Sequence, residues 1–272
     1  MNDKIEAADD DPAANPAPAA ATAAGPAGGA RLRALLQRSA HGLLRHLLPN
    51  ACALCGGDSD DALCSGCEAQ FFGTAAAIAR CPRCANPVPA DGQLCGACLA
   101  APPAFDRTLA AADYALPVDQ LVLQLKFGHR LALAPLCARL LRDAVLAEGS
   151  IALPVLLCPV PLGPRRLAGR GYNQALEIAR PLARGLGIAL APQLLHRVRE
   201  TAAQSSVAPE RRQQNIAGAF AVPDAALVAG RHIGVVDDVM TSGRTLNEVA
   251  ATLKRHGAAR VSNFVFARTP PH

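Results

Sequence analysis

Residues 232–245, His-Ile-Gly-Val-Val-Asp-Asp-Val-Met-Thr-Ser-Gly-Arg-Thr, decide how the chain is read: an apolar run ends in two acids, and a small hydroxyl-rich turn follows. Ile233 to Val236 predicts a buried strand. Leu246, Val249, Ala250 and Leu253 repeat at helical spacing, which predicts a helix from Arg244 to His256 with Gly257 as its stop. The turn between them is Thr241-Ser242-Gly243. At a helix N-terminus, unpaired amide N–H groups and the positive end of the helix dipole favour an anion, and Thr241, Ser242 and Thr245 add hydroxyl donors. A phosphate site is therefore expected over Thr241, Ser242, Gly243, Arg244 and Thr245. Asp237 and Asp238, directly upstream, disfavour a second phosphate but suit sugar hydroxyls or a divalent cation with oxygen ligands. A plain strand-to-helix turn beside an acid pair is the competing reading, and it leaves the hydroxyls clustered around Gly243 unexplained.

From Pro102 the chain alternates helical and strand patterns. Helices are expected over Leu116–Phe127 and Leu131–Leu146, broken at Gly128, and over Asn173–Leu186. Strands are expected over Val155–Val160, Ala219–Val222 and Arg260–Ala267. The fold class is α/β, a mostly parallel sheet with flanking helices, and ligands of such sheets bind beyond the carboxyl ends of the strands. The Asp-Asp turn occupies such an end, as does the segment after Val160. There Pro161 and Leu162 are expected to line the ligand site. Arg165, Arg166 and Arg170 lie on a loop with a stiff start and a mobile middle, where guanidinium groups could clamp a pyrophosphate in planar, bidentate fashion. A solvated basic loop is the alternative. Arg197 to Asn215 has little apolar content and reads as a lid or long loop. Lys126, His129 and Arg130 form a basic corner for which a surface role is an equal reading.

Eight of the ten cysteines form four C-x-x-C pairs: Cys52/Cys55, Cys64/Cys67, Cys81/Cys84 and Cys95/Cys98. Paired thiolates at this spacing grip one tetrahedral ion from a tight turn, and two pairs complete an S4 site suited to zinc. Two zinc ions are expected. Four sulfurs on each leave no open position, so their role is structural. Consecutive pairing of the cysteines is preferred and interleaved pairing stays open. A disulfide framework fits poorly without an export signal, and redox chemistry needs fewer pairs. Cys137 in a helical stretch and Cys158 in a strand read as buried small hydrophobes.

With 272 residues, 51% of them hydrophobic, the chain holds one full α/β domain plus a smaller module. Trp is absent and there are 2 Tyr, so stacking platforms for single-stranded nucleic acid are few. A net charge of +5 suits anionic ligands but falls short of a dedicated DNA-binding footprint. Residues 1–30, rich in Ala and Pro, are expected to be a disordered tail. Over 31–49 the leucines share one face of an amphipathic helix, with packing against the protein as the default reading and a membrane surface as the alternative. With neither a secretory signal nor an apolar stretch of about 18 residues, the expectation is a cytoplasmic protein with no membrane span.

The acid pair followed by Thr-Ser-Gly-Arg-Thr after an apolar strand resembles the signature of type I phosphoribosyltransferases. The C-x-x-C pairs, Leu-Lys-Phe-Gly-His-Arg (125–130), Pro-Val-Pro-Leu (159–162), Arg-Gly-Tyr-Asn-Gln-Ala (170–175) and Glu-Arg-Arg-Gln-Gln-Asn (210–215), in this order, narrow the resemblance to the ComF family of competence proteins. That resemblance implies a double zinc ribbon, here over 50–100, fused to a type I phosphoribosyltransferase domain over 101–272. It implies phosphoribosyl pyrophosphate with its 5′-phosphate at Thr241 to Thr245 and its ribose hydroxyls on Asp237 and Asp238, with magnesium bridging hydroxyls and pyrophosphate. Asp237, Asp238, Arg165 and Arg166 would then serve transfer of phosphoribose to an unidentified acceptor. Some members are linked to DNA uptake or utilisation. The alternative is a non-catalytic sugar-phosphate sensor whose ribbons contact DNA or a competence protein.

Overall fold

The computed structural model describes residues 50–73, 78–149, 151–199 and 218–271. The tail and amphipathic helix expected over 1–49 lie outside the described residues, as does the expected lid beyond Arg199.

Residues 107–113 open the sheet as β3 (Arg107–Asp113), after two short strands, β1 (Asn50–Ala51) and β2 (Asp58–Ser59), that pair with each other. Then follow β4 (Leu156–Pro159), β5 (Ala189–Leu190), β8 (His232–Met240) and β9 (Arg260–Arg268). They form a five-stranded sheet in the order β3-β9-β8-β4-β5, with every pairing parallel. Between β5 and β8 in the chain, β6 (His196–Arg197) and β7 (Phe220–Ala221) form a separate antiparallel pair. The strand predicted at Ile233–Val236 runs on through both acids to Met240, so the turn before the next helix is no longer than Thr241-Ser242-Gly243. β3 had no counterpart in the sequence reading: Arg-Thr-Leu-Ala-Ala-Ala-Asp is too poor in β-branched residues to announce a strand, and its place beside β9 supplies what its composition lacks.

The helices are α1 (Ser65–Phe72), α2 (Gly96–Ala100), α3 (Asp119–Lys126), α4 (Leu133–Ala147), α5 (Pro164–Arg170), α6 (Gln174–Leu186) and α7 (Arg244–Arg255). α5 corrects the expected loop with a mobile middle. Pro164 occupies the first turn, where its missing N–H costs nothing, and Gly171 closes the helix at φ +79°. The same proline and glycine that suggested a loop are a start and a stop.

Alternation along β8 and β9 sends side chains to two cores. Val236, Phe264 and Phe266 pack with α3, α4 and α6 on one face, while Val235, Val261 and Val265 pack with α7 on the other. Each cysteine segment joins a different core, Cys52 and Cys67 the first, Cys81, Cys84 and Cys98 the second. Arg139 on α4 grips Glu68 on α1 through two hydrogen bonds of 2.6 and 2.7 Å. Arg80 bonds Asp113 at the end of β3 at 2.8 Å. Cys137 and Cys158 are fully buried, as expected.

Candidate functional site and metal centres

At the carboxyl ends of β4 and β8 the chain leaves a cavity of about 280 Å³. Its lining takes in Asp237 and Asp238 from β8, the turn Thr241-Ser242-Gly243, Arg244 and Thr245 from α7, Pro161 and Leu162 after β4, and Arg166 from α5. Two segments far apart in sequence thus converge on one space. Gly243 sits at φ +75°, a left-handed conformation in which a side chain is strained, and this lets the strand turn at once into α7. Asn173 fixes the other wall: its side chain accepts from the Ala175 amide at 3.0 Å, capping α6, and donates to the Val160 carbonyl at 3.0 Å, holding the start of α6 against the end of β4.

Asp238 is 3% exposed, and its Oδ2 has the ammonium of Lys126 at 2.5 Å, close enough for a strong ion pair though out of line for a hydrogen bond. Asp237 opens partly to the cavity, and its Oδ1 accepts from the Asp238 amide at 2.9 Å. Burial by the surrounding protein pushes the Asp237 pKa well above the ordinary carboxylate value, Asp238 adds to this, and Lys126 pulls the other way. The two acids are not equivalent. Asp238 already has a cation, whereas Asp237 holds a destabilised charge facing the cavity.

Arg166 lines the cavity and Arg165 does not. Arg170 also lies off the lining. It donates to Gln174 Oε1 at 2.5 Å and stacks its guanidinium 5.4 Å from the Phe127 ring, so it steadies Gln174, which does line the cavity. Lys126, Gln174, Tyr114 and Arg197 are lining residues that the sequence reading did not assign to the site. The signal for Lys126 was present: it ends a helix just before Gly128, in the Leu-Lys-Phe-Gly-His-Arg stretch that carries the family resemblance.

The cysteines gather in two groups, Cys52, Cys55, Cys64, Cys67 and Cys81, Cys84, Cys95, Cys98, with sulfurs in each group within 4.8 Å of one another. Pairing is therefore consecutive. Four thiolates held about 2.3 Å from a tetrahedral ion stand roughly 3.8 Å apart. The Cys55 and Cys64 sulfurs are 3.8 Å apart and those of Cys84 and Cys95 3.4 Å, so the donor set and its spacing fit zinc. Burial works against the Cys52 thiolate, yet the amides of Cys55, Cys64 and Leu54 bring its pKa down to about 6. Burial raises Cys67 to about 12, with its three partners adding to the shift. One sulfur in the group is ready to ionise and another waits for a cation, as expected of ligands that lose their protons to metal.

The phosphoribosyl transferase domain family matches residues 173–271, and the double zinc ribbon domain family matches residues 43–99. The DNA utilization protein YhgH of Salmonella typhi is 39% identical over 195 residues, covering 71% of this chain and 85% of that protein. Its counterpart in Escherichia coli K12 is 38% identical over 192 residues, covering 70% of this chain and 84% of that protein. Competence protein F of Haemophilus influenzae is 32% identical over 225 residues, covering 80% of this chain and 96% of that protein. Identities of 32–39% over most of these relatives' length join the matches to both domain families: the chain belongs to the ComF family of competence proteins, a double zinc ribbon followed by a type I phosphoribosyltransferase domain.

Proposed function

We propose that the protein binds phosphoribosyl pyrophosphate and transfers its phosphoribosyl group to an acceptor. The observation that carries this reading is the convergence on one cavity of the turn 241–245, the acid pair and basic side chains that include Lys126 and Arg166. Amides and hydroxyls of Thr241 to Thr245 hold the 5′-phosphate, and Asp237 receives the ribose diol. Arg166 and Lys126 face the pyrophosphate as it departs, so the gain is positional and electrostatic. The donor set fits magnesium through Asp237, a hard oxygen ligand not already paired with a cation, whereas Asp238 is held by Lys126. Magnesium, when bound, supplies charge that offsets the leaving pyrophosphate. Among the described residues no helix is long and apolar enough to cross a membrane. Eight free cysteines in two metal-ligand groups suit the reducing cytoplasm, where we place the protein.

The test is calorimetry of zinc-loaded protein with phosphoribosyl pyrophosphate and magnesium, followed by pyrophosphate release across a panel of nitrogenous bases. Binding that Asp237→Asn abolishes, together with release on one base, is expected. Absence of heat with folded protein would reject the site. A second reading is favoured by the relatives' names, which speak of DNA utilization and competence. It keeps the sugar phosphate as a sensed ligand and gives the ribbons a DNA or competence-protein partner. Heat without turnover on any base, with salt-sensitive DNA binding that survives Asp237→Asn, would favour it over transfer.

A further inference from the structure

Arg268, at the end of β9, is 6% exposed, and among the described residues no carboxylate pairs with it. A buried cation without an anion is costly unless its donors are satisfied and its charge is matched elsewhere. Nε and one terminal nitrogen are met by carbonyls from two distant places. Nε donates to Cys84 at 2.8 Å, inside the second cysteine cluster, and a terminal nitrogen donates to Met240 at 3.0 Å, to Thr241 and to Thr269 at 2.5 Å. Met240 and Thr241 lead into the turn read above as the phosphate loop. The charge is matched by the cluster itself, because four thiolates around one divalent ion leave two net negative charges. Burial disfavours the guanidinium charge, and the Cys84 and Cys95 sulfurs favour it.

We propose that Arg268 is a positioning residue that couples the metal at Cys81, Cys84, Cys95 and Cys98 to the shape of the loop at Met240 and Thr241. With the metal held, the Cys84 carbonyl is fixed, the guanidinium has its counter-charge, and its remaining donors pin the loop. With the metal lost, the turn at Cys84 is no longer closed and the loop loses its anchor. Among the described residues the first cluster has no such tie: it docks on α4 through Glu68 and Arg139, on the opposite face of the sheet. Coupling between two sites is reciprocal, so a ligand that orders the loop must also hold the second metal more tightly. The inference rests on the reading of 241–245 as a phosphate site.

Zinc release from the full chain to a chromogenic chelator, with and without saturating phosphoribosyl pyrophosphate and magnesium, tests it. One of the two zinc ions should leave at least about fivefold more slowly with ligand, and the other at an unchanged rate. Arg268→Met should start with the same zinc content and lose that protection, and Arg268→Lys should recover part of it. Equal slowing of both ions, no slowing despite binding seen by calorimetry, or full protection in Arg268→Met would each overturn the coupling. If Arg268→Met does not retain zinc, Arg268→Lys and the unsubstituted chain decide. Absence of calorimetric binding to the unsubstituted chain would instead remove the phosphate reading, and the coupling with it.

Discussion

Substituting Lys126 by Met should destabilise the protein, although the side chain sits at the rim of a cavity rather than in a core. Asp238 keeps a carboxylate that is 3% exposed, and the only ion pair described for it is the Lys126 ammonium at 2.5 Å. Removing one partner of a buried pair costs about 3–5 kcal/mol, because the other charge is left without compensation. The ammonium is out of line for a hydrogen bond, so the lower end, about 3 kcal/mol, is expected. At about 2–4 °C per kcal/mol for a domain of this size, the melting temperature should fall by roughly 6–12 °C. Asp238→Asn should cost less, about 1–2 kcal/mol, since Lys126 retains 21% side-chain exposure and can turn toward water. In the double variant both charges are gone, so it should be more stable than the sum of the singles by about 2 kcal/mol. Thermal or urea unfolding of the zinc-replete proteins gives the cycle directly. A coupling below about 0.5 kcal/mol would refute the argument, since noninteracting sites add to within that margin.

Gly243→Ala places a side chain at φ +75° with its Cβ 2.5 Å from the Met240 Cε tip. The left-handed strain of about 1–2 kcal/mol should appear as roughly tenfold weaker phosphoribosyl pyrophosphate binding by calorimetry, with a melting temperature only a few degrees lower. Gly234→Ala, on β8 away from the cavity, drives a Cβ to 2.4 Å from Leu157 and 2.7 Å from Pro154. It should cost about 1–3 kcal/mol in unfolding free energy while binding per folded molecule is unchanged. Burial opposes the Asp106 carboxylate, but Lys254 and the Val261 amide, each 2.8 Å away, hold its pKa below the ordinary value. Because the folded-state value is depressed, this contribution is present above the ordinary carboxylate pKa and is lost as pH falls through the folded value. The gap in stability between the unsubstituted protein and Asp106→Ala, under about 1 kcal/mol for a half-exposed group, should therefore hold from pH 7 down to about pH 4 and narrow as the pH falls further. Chelation of zinc should lower the melting temperature and expose the Cys52 and Cys81 thiols to alkylation, detectable by mass spectrometry.

The sheet was legible wherever the chain spelled its elements in large apolar residues. β8, β9, α6 and α7 fall within a few residues of their expected bounds because Val, Ile and Leu repeat there at the period of the structure. β3 was not legible, because three alanines in a row carry little strand preference and only the partner β9 makes them a strand. α5 was misread for the opposite reason: its proline and glycine are strong signals whose meaning depends on which end of a helix they occupy. In the site, contiguous residues such as Asp237 to Thr245 announced themselves, whereas Arg268 did not, and Lys126 stood out only within the stretch that carries the family resemblance, with no sign of its partner. Each acts across more than twenty-five residues of sequence, Lys126 on Asp238 and Arg268 on Met240, and no local pattern encodes such a meeting.

The pairing of His196–Arg197 with Phe220–Ala221 has a bearing on how relatives can differ. Chain that departs from one of these strands and returns by the other starts and finishes at neighbouring points beside the sheet. The entropy of closing such an excursion grows only with the logarithm of its length, about 0.6 kcal/mol per doubling. Insertions or deletions between the two strands are therefore cheap for the fold. Because Arg197 also lines the cavity, that stretch is a place where homologues can diverge in what they admit without rebuilding the scaffold beneath.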